Sequence, residues 1–565
     1  MILRLIPVVV IAILVLPVLA GLILALLPAF GYLPVLGGEQ LTLEPWLRLF
    51  ASPGIWRSVG VSYATALVTT GLSLLIVFCF LAAVGARQSG RWSLDSWLRR
   101  LVSPLLSVPH AAAAFGFAFL IMPSGLLTRW ISPGLTGWER PPDLLIVHDS
   151  LGLSLMAGLV MKEVPFLLLM SLAALPQVNA GQRVIMARSL GYRPGVAWLK
   201  VVAPALYPLI RLPVYAVLAF ASSTVDVAMI LGPTLPPTLS VQVVQWFNDP
   251  DLGTLYVASA GAIAQLLLTA AVLLNWWLFE QLASRLHALW VRRGHRSFAD
   301  RSIRSFGRVT MSLVVLMAGL GFMALALNAF AGFWRFPAAW PASLSADAFF
   351  RALPTLQDPL LTTLVIAAAA TILAVLLVIA ALEREQRLGV AAPWALWLLY
   401  LPLLVPQIAF LSGITVSAEV IQSGPSLALV AAGHLLFVLP YVYLALAESY
   451  RRLDPRWSQL ARSLGSSMNG VFWRVRLPLL LAPILTAAAL GFAISISQYL
   501  PTRLLGAGRI TTVTTEAVAL AAGGDRRLIG IWSLVQALLP FVGFAVAIAL
   551  PGLIWRNRRG MREIQ

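Results

Sequence analysis

The sequence predicts an all-α membrane protein in which about twelve transmembrane helices form two parallel repeats of six helices. Three observations predict this fold class. Of the 565 residues, 60% are hydrophobic and 11% are charged, whereas soluble domains carry about 25% charged residues. Apolar stretches of membrane length recur along the whole chain, and a pentapeptide recurs in register with other landmark residues. A soluble enzyme, a disordered chain and, with Cys79 as the single cysteine, a disulfide scaffold are excluded.

The first half of the chain contains six apolar stretches long enough to cross a bilayer. Each is predicted to be a helix, because lipid offers the backbone no hydrogen-bond partner and the alternating pattern of barrel strands is absent. The first stretch is interpreted as an uncleaved helix, since it is long and lacks a clear small-residue cleavage site. The predicted spans are residues 6–28, 60–86, 101–122, 151–178, 205–232 and 254–279.

The second half contains six further spans, and a basic segment separates the two sets. We therefore predict a first half of residues 1–284, a cytoplasmic linker of residues 285–308 and a second half of residues 309–565. The second set of predicted spans is residues 309–331, 359–382, 394–418, 427–447, 479–502 and 528–553.

The distribution of positive charge predicts the orientation. The formal net charge is +18, which alone would favour an anionic partner such as nucleic acid. With the first residue inside, 28 of the 40 Lys and Arg residues fall in inner loops and ten in outer loops. This is the positive-inside pattern, so both termini are expected in the cytoplasm. The expected surroundings are membrane lipid, and nucleic acid is not an expected partner.

An internal repeat is the most informative feature. Ala187-Arg188-Ser189-Leu190-Gly191 recurs as Ala461-Arg462-Ser463-Leu464-Gly465, 274 residues later. Pro204 and Pro478 each follow thirteen residues after the glycine, and Leu231-Gly232 and Leu505-Gly506 keep the same offset. Corresponding landmarks fall on the same side of the membrane, so the repeat is predicted to be parallel.

Upstream landmarks place an insertion in the first half. Pro109 and Gly116 match Pro406 and Gly413 at an offset of 297, whereas Pro165 matches Pro440 at 275. About 22 extra residues therefore lie between Gly116 and Pro165, and the outer loop 123–149 accommodates them, because loops tolerate insertions.

Both copies of the pentapeptide lie in long basic loops, residues 179–204 and 450–478. Each loop is compatible with two short helices that a glycine separates, because glycine tolerates left-handed dihedral angles. A proline then opens the next span. Such an element can project a compact helix into the groove of another protein.

The arrangement resembles the loop of ABC-importer permeases, whose pattern is Glu-Ala-Ala, three residues, Gly, nine residues, Ile-x-Leu-Pro. The first copy reads Ile185-Met186-Ala187, then Gly191, then Val201-Val202-Ala203-Pro204. The second reads Gln459-Leu460-Ala461, then Gly465, then Val475-Arg476-Leu477-Pro478. The third position, the glycine and the proline hold in both copies, and the glutamate is missing from both.

This resemblance covers nearly the whole chain and implies a type I permease of the bacterial inner membrane with both halves fused. The chain is similar to fused thiamine and ferric-iron permeases and, in the outer stretch 137–143 and the overall layout, to YnjC-type permeases. The resemblance implies two copies of a cytoplasmic ABC ATPase, which bind ATP, and a periplasmic solute-binding protein. The residues implied to couple to the ATPase are Ala187, Arg188, Ser189, Leu190, Gly191, Pro204, Ala461, Arg462, Ser463, Leu464, Gly465 and Pro478.

The chain is not expected to be an enzyme or to hold a cofactor of its own. Its two lysines, Lys162 and Lys200, do not follow glycine, so the phosphate-binding Gly-Lys-Ser/Thr sequence of an ATPase is absent. The five histidines and Cys79 show no metal-ligand spacing, and His110 beside Pro109 is expected at a helix kink.

Ionisable residues inside spans are costly and usually face a bundle interior or a water-filled route. Lys162-Glu163, Arg211 and Asp226 are such residues, and polar side chains cluster at matching depths in the fifth and eleventh helices. Alternatively, the hydroxyls satisfy the helix backbone, Asp226 pairs with an arginine and Lys162-Glu163 is a structural pair. The candidate solute-path residues are Glu163, Ser222, Ser223, Thr224, Asp226, Ser495, Ser497, Gln498 and Tyr499.

Two other functions remain open at this point. An ion-gradient-driven secondary transporter also has two six-helix halves, but it does not need the paired loops. A non-transporting membrane scaffold would not need polar stretches at matching depths. Asp226 and Glu163 favour a cationic solute, such as thiamine or a polyamine, whereas ferric iron, sulfate and other solutes stay open.

Overall fold

The computed structural model describes residues 2–85, 107–297, 299–389, 395–420 and 424–556. Within these residues the chain is all-α, as predicted, with two isolated β-bridges and no longer strand. The start of the predicted span 101–122 lies outside the described residues. So do seven of the arginines counted as inner: Arg87, Arg91, Arg99, Arg100, Arg558, Arg559 and Arg562.

The helices of the first half follow the predicted spans closely. Short helical segments at Pro34–Leu36, Glu44–Ala51, Leu126–Ile131, Leu175–Val178 and Pro194–Val202 connect or extend them. The named helices are α1 (Ile2–Ala29), α2 (Ile55–Val84), α3 (His110–Ile121), α4 (Leu153–Ala174), α5 (Ala180–Ser189), α6 (Ala203–Ser223), α7 (Asp226–Leu231), α8 (Leu239–Phe247) and α9 (Thr254–Arg292).

The second half repeats this order. A continuous series of short turns, Met468–Val471, Phe472–Arg476 and Leu477–Leu479, leads into its fifth span. The named helices are α10 (Asp300–Phe330), α11 (Asp347–Leu388), α12 (Ala395–Leu404), α13 (Gln407–Val420), α14 (Leu427–Arg451), α15 (Pro455–Ser463), α16 (Leu481–Ile496), α17 (Leu500–Leu505), α18 (Val513–Leu520) and α19 (Arg526–Ile554).

Ten helices of the described residues are long and apolar enough to cross a membrane, or twelve if each of two bent pairs is one span. The bent pairs are Trp397–Leu404 with Gln407–Ala418, at 80°, and Met468–Leu479 with Leu481–Ile496, at 69°. The expectation of about twelve spans is therefore met. The helix α9 has 39 residues. A helix needs only about 20 residues to cross the bilayer, so α9 continues well past the predicted span.

The repeat is visible in the backbone. The segments α7 and α17, and α8 and α18, begin 274 residues apart. A π-helical turn also occurs at Trp198–Val202 and again at Phe472–Arg476, at the same offset. The membrane-length helices alternate in direction, so residues 179–204 and 450–478 lie at one end of the bundle. That end is the loop face, and the other end is the opposite face.

The two halves exchange their first helices. The helix α1 packs against α13 of the second half, and α10 packs against α3 of the first. Glycines meet at both crossings, because a Cβ on Gly413 would overlap the carbonyl oxygen of Gly21, and one on Gly116 would lie 2.7 Å from that of Gly321. Small residues allow such close backbone approach in membranes. One buried apolar cluster accordingly runs through both halves.

Candidate functional site

A cavity of about 190 Å³ lies between the two halves, near the centre of the bundle. The helices α3, α4, α6 and α7 of the first half contribute to its wall, together with α14, α16 and α17 of the second. Seven of the nine candidate path residues line it: Glu163, Ser223, Thr224, Asp226, Ser497, Gln498 and Tyr499.

Asp226 lies at a break in the fifth span of the first half. The helix α6 ends at Ser223, Thr224 is extended, and Asp226 begins α7. Its carboxylate is 8% exposed and accepts a hydrogen bond from the Thr224 hydroxyl at 3.1 Å. Among the described residues, no Lys or Arg lies within ion-pair distance of it. Within this part of the chain, the basic side chain that interacts electrostatically with Asp226 is His110 and not an arginine.

Glu163 is a second buried carboxylate of the cavity, and it has basic neighbours. Its side chain is on α4 and is 4% exposed, and Oε1 lies 3.5 Å from Nε2 of His110. The neighbouring Lys162 donates a hydrogen bond to the carbonyl of Val108 and interacts electrostatically with Glu163. Glu163 is thus surrounded by a lysine and an imidazole.

His110 is a cavity residue that the sequence reasoning assigned only to a kink. It does begin α3 directly after Pro109, as expected, but its ring also faces the cavity and packs on Phe220 at 4.7 Å between ring centroids. The repeat could have identified His110 as a cavity residue, because His110 corresponds to Gln407 at the 297-residue offset and both line the cavity.

The polar residues of the second half occupy matching positions. Ser223 and Ser497 are 274 residues apart, and each hydroxyl donates to the carbonyl four residues earlier, that of Ala219 or Ala493. These hydroxyls therefore both satisfy the helix backbone and line the cavity.

Ser222 and Ser495 lie elsewhere than predicted. The Ser222 hydroxyl is 2.9 Å from the Thr269 hydroxyl of α9, and the Ser495 hydroxyl is 2.8 Å from Nδ1 of His434. Each therefore contacts a neighbouring helix instead of the cavity. The reason is helix geometry, since Ser222 points about 100° away from Ser223 around the helix axis, and Ser495 about 200° away from Ser497. Arg211 likewise forms a structural pair, 2.7 Å from Glu280.

The loops 179–204 and 450–478 share one backbone geometry. Gly191 and Gly465 both have left-handed dihedral angles, with φ of 85° and 84°. In the first loop, the N–H groups of Gly191 and Tyr192 donate to the carbonyls of Arg188 and Ala187. In the second loop, Gly465 and Ser466 donate in the same way to Arg462 and Ala461. These bonds close the ends of α5 and α15, as a left-handed glycine allows.

The rest of each loop also matches. Pro204 is the second residue of α6, and Pro478 lies in the turn Leu477–Leu479 that precedes α16. Ser189 and Ser463 donate their hydroxyl hydrogens to the carbonyl three residues earlier, so they complete the last helical turn while remaining exposed.

Both loops present apolar side chains at equivalent positions of the loop face. Leu190 is 64% exposed and Leu464 is 79% exposed. Met186 and Leu460, one helical turn earlier, are also exposed. Paired apolar side chains of this kind favour binding to another protein.

Two buried carboxylates attach the loops to the bundle, and the sequence reasoning missed both. Asp300, at the start of α10, accepts hydrogen bonds from the N–H groups of Gly195 and Val196 at 2.7 and 3.2 Å. Glu383 of α11 pairs with Arg476 of the second loop at 2.9 Å. Asp300 and Glu383 occupy different positions in the repeat, so a comparison of the two halves does not identify either attachment.

No group of three or more His, Cys, Asp or Glu side chains suited to a metal ion occurs in the part of the chain that the structure describes. The described cavity is lined by polar and charged side chains together with aromatic ones.

Comparison with known proteins places this architecture among transporters. The family described as "Binding-protein-dependent transport system inner membrane component" matches residues 378–556. The inner membrane ABC transporter permease protein YnjC of Escherichia coli is 31% identical over 529 residues, which is 92% of this chain and 93% of that protein. The molybdenum transport system permease protein ModB of Mycobacterium bovis is 30% identical over 196 residues, 32% of this chain and 71% of that protein.

Proposed function

Because the chain belongs to the family of inner membrane permeases of binding-protein-dependent ABC transporters, we propose that its two halves together form the solute pathway of an importer. The pathway runs through the central cavity, where polar residues of both halves meet. The observation that carries the proposal is the pair of loops with equal geometry and equivalent exposed leucines, Leu190 and Leu464.

Each loop is proposed to dock one copy of a cytoplasmic ABC ATPase. Two equivalent surfaces on one chain require two ATPase copies, which bind the ATP, and no second permease chain. The loop face is then cytoplasmic, as are both termini. A periplasmic solute-binding protein delivers the solute at the opposite face.

Coupling follows from chain continuity. The first loop joins α4, which carries Glu163, to α6, which carries Ser223. The second joins α14 to α16, which leads to Ser497. A displacement of either loop by its ATPase therefore moves helices that form the cavity wall, which is the movement that opens the cavity to alternate sides.

The test is co-purification from native membranes in mild detergent, with Leu190→Asp, Leu464→Asp and the double variant beside wild type. Leu135→Asp is the matched control, because Leu135 is 85% exposed and lies in a loop of the opposite face. An ABC ATPase should co-purify with wild type and with the control, and the double variant should lose it.

Absence of an ATPase from wild type would refute the proposal and favour a carrier driven by an ion gradient. Retention of the ATPase by the double variant would show that docking does not depend on these loops.

A further inference from the structure

The charges around the central cavity do not balance. The wall contains two carboxylates, Glu163 and Asp226, and one lysine, Lys162. Histidine apart, the formal charges of this wall sum to −1, because two carboxylates face one ammonium group. Lys162 interacts with Glu163, whereas His110 lies 3.5 Å from Glu163 and also interacts electrostatically with Asp226. Asp226 therefore has no Lys or Arg of its own in the described cavity wall.

Asp226 is a buried carboxylate, and His110 is the basic side chain that interacts with it electrostatically. Its side chain is more than nine-tenths buried and lines the cavity, and Thr224 is the side chain that donates to it. An ionised carboxylate buried away from water is costly unless a positive charge offsets it. The structure describes no Lys or Arg partner within 4 Å of Asp226, so a cation that enters the cavity would supply the missing charge.

The remaining wall suits an organic cation better than a hydrated ion. Phe166, Phe220, Phe437, Tyr441 and Tyr499 face the cavity, and two of them, Phe166 and Phe220, lie on helices that also carry its polar residues. Aromatic rings attract ammonium groups through their negative faces, most strongly where water is excluded. The volume, about 190 Å³, lies below the range of about 300–1,000 Å³ for drug-sized ligands.

We propose that this cavity is a transit site for a small organic monocation, whose positive charge lies against Asp226 and whose apolar groups contact the aromatic wall. The inference rests on the proposed function, since it names the solute class of the same pathway. A polyamine fits less well, because its second charge would meet Glu163 only by displacing Lys162 or His110.

The test is equilibrium binding of radiolabelled choline to the full chain in nanodiscs of phosphatidylethanolamine and phosphatidylglycerol, at pH 8. Unlabelled choline, its neutral isostere 3,3-dimethylbutan-1-ol and molybdate serve as competitors. Asp226→Asn removes the proposed contact, and Asp226→Glu restores the charge. Asp251→Asn is the matched control, because it removes one exposed carboxylate from a loop of the opposite face.

Saturable binding that choline displaces, and the isostere and molybdate do not, supports the proposal. Asp226→Asn should weaken binding at least tenfold, Asp226→Glu should retain most of it, and Asp251→Asn should leave it unchanged. Equal competition by the isostere, competition by molybdate, or no choline binding to folded wild type would overturn it. If Asp226→Asn does not fold, the competition with wild type still decides.

The native membranes from which the chain is purified are also assayed for the co-purifying ATPase. An ATPase without choline binding removes this inference and leaves the proposed function. Absence of the ATPase removes the proposed function, whatever choline does.

Discussion

Asp300 is the residue whose replacement should release the first loop from the bundle. Its side chain is 1% exposed and accepts hydrogen bonds from the N–H groups of Gly195 and Val196, while Arg304 holds its other oxygen at 2.9 Å. These N–H groups begin the short helix Pro194–Ala197 and have no acceptor within it. Asp300→Ala leaves both without their acceptor.

The expected magnitude follows from the hydrogen bonds. A hydrogen bond to a charged group contributes about 1.5–3 kcal/mol, and replacing a helix cap by alanine costs about 0.5–2 kcal/mol. A loss of about 2 kcal/mol in the free energy of local opening corresponds to roughly 30-fold faster hydrogen exchange in this segment, at 1.36 kcal/mol per factor of ten.

Hydrogen exchange measured by mass spectrometry checks this value on peptides that cover residues 190–203. The peptide around Met468–Val471 is the internal control, because Glu383 and not Asp300 attaches the second loop. Unchanged exchange at Gly195 and Val196 would refute the reasoning. Equal acceleration over the whole chain would also refute it, since Asp300 would then stabilise the fold in general.

Two further substitutions test the fold. Gly413→Ala should lower the melting temperature by an amount equivalent to about 1–3 kcal/mol, because the Cβ of the new alanine would overlap the carbonyl of Gly21. Gly60→Ala is the control and should leave the melting temperature unchanged, because a Cβ at Gly60 meets nothing within 4 Å. Asp149→Asn should cost about 1 kcal/mol near neutral pH, since the charged carboxylate accepts hydrogen bonds from the Leu153 and Ser154 N–H groups at the positive end of α4. Partial burial alone would raise the pKa of Asp149, but hydrogen bonds from Ser154 and Leu153 outweigh it and lower the pKa. The stabilisation is therefore present above the ordinary pKa of 3.8 and lost below it, so chemical unfolding of wild type and variant should converge as the pH falls through this range.

The sequence predicts the spans and the loops well because both depend on local properties. Apolar length alone identifies a helix such as α9, since the bilayer imposes it. The left-handed glycines Gly191 and Gly465 were predictable because a reversal between two short helices requires that conformation. Of the polar cluster, Ser223 and Ser497 face the common cavity, and their part in a solute path stays a prediction.

What the sequence did not predict depends on which helices meet. An apolar surface does not specify its partner, so the exchange of α1 and α10 between the halves was missed. Gly21 and Gly321 lie at corresponding positions in the two first helices, but small residues also occur at many lipid-facing sites. His110 and Asp300 were missed for the same reason, because their partners are distant in the chain.

The exchanged helix α10 joins the loop face to the cavity. At one end, Asp300 holds the first loop; further along, Gly321 packs against Gly116 of α3, whose first residue is the cavity residue His110. A displacement of the first loop can therefore reach the cavity by two routes, along α4 and α6 and through α10. The second loop is held instead by Glu383 on α11, which packs on α14 and α16. The two loops are thus alike in shape and different in attachment, and under the proposed function each would receive one ATPase copy. Since Asp300 contacts only the first loop, we expect Asp300→Ala to impair coupling there and to leave ATPase docking at the second loop intact.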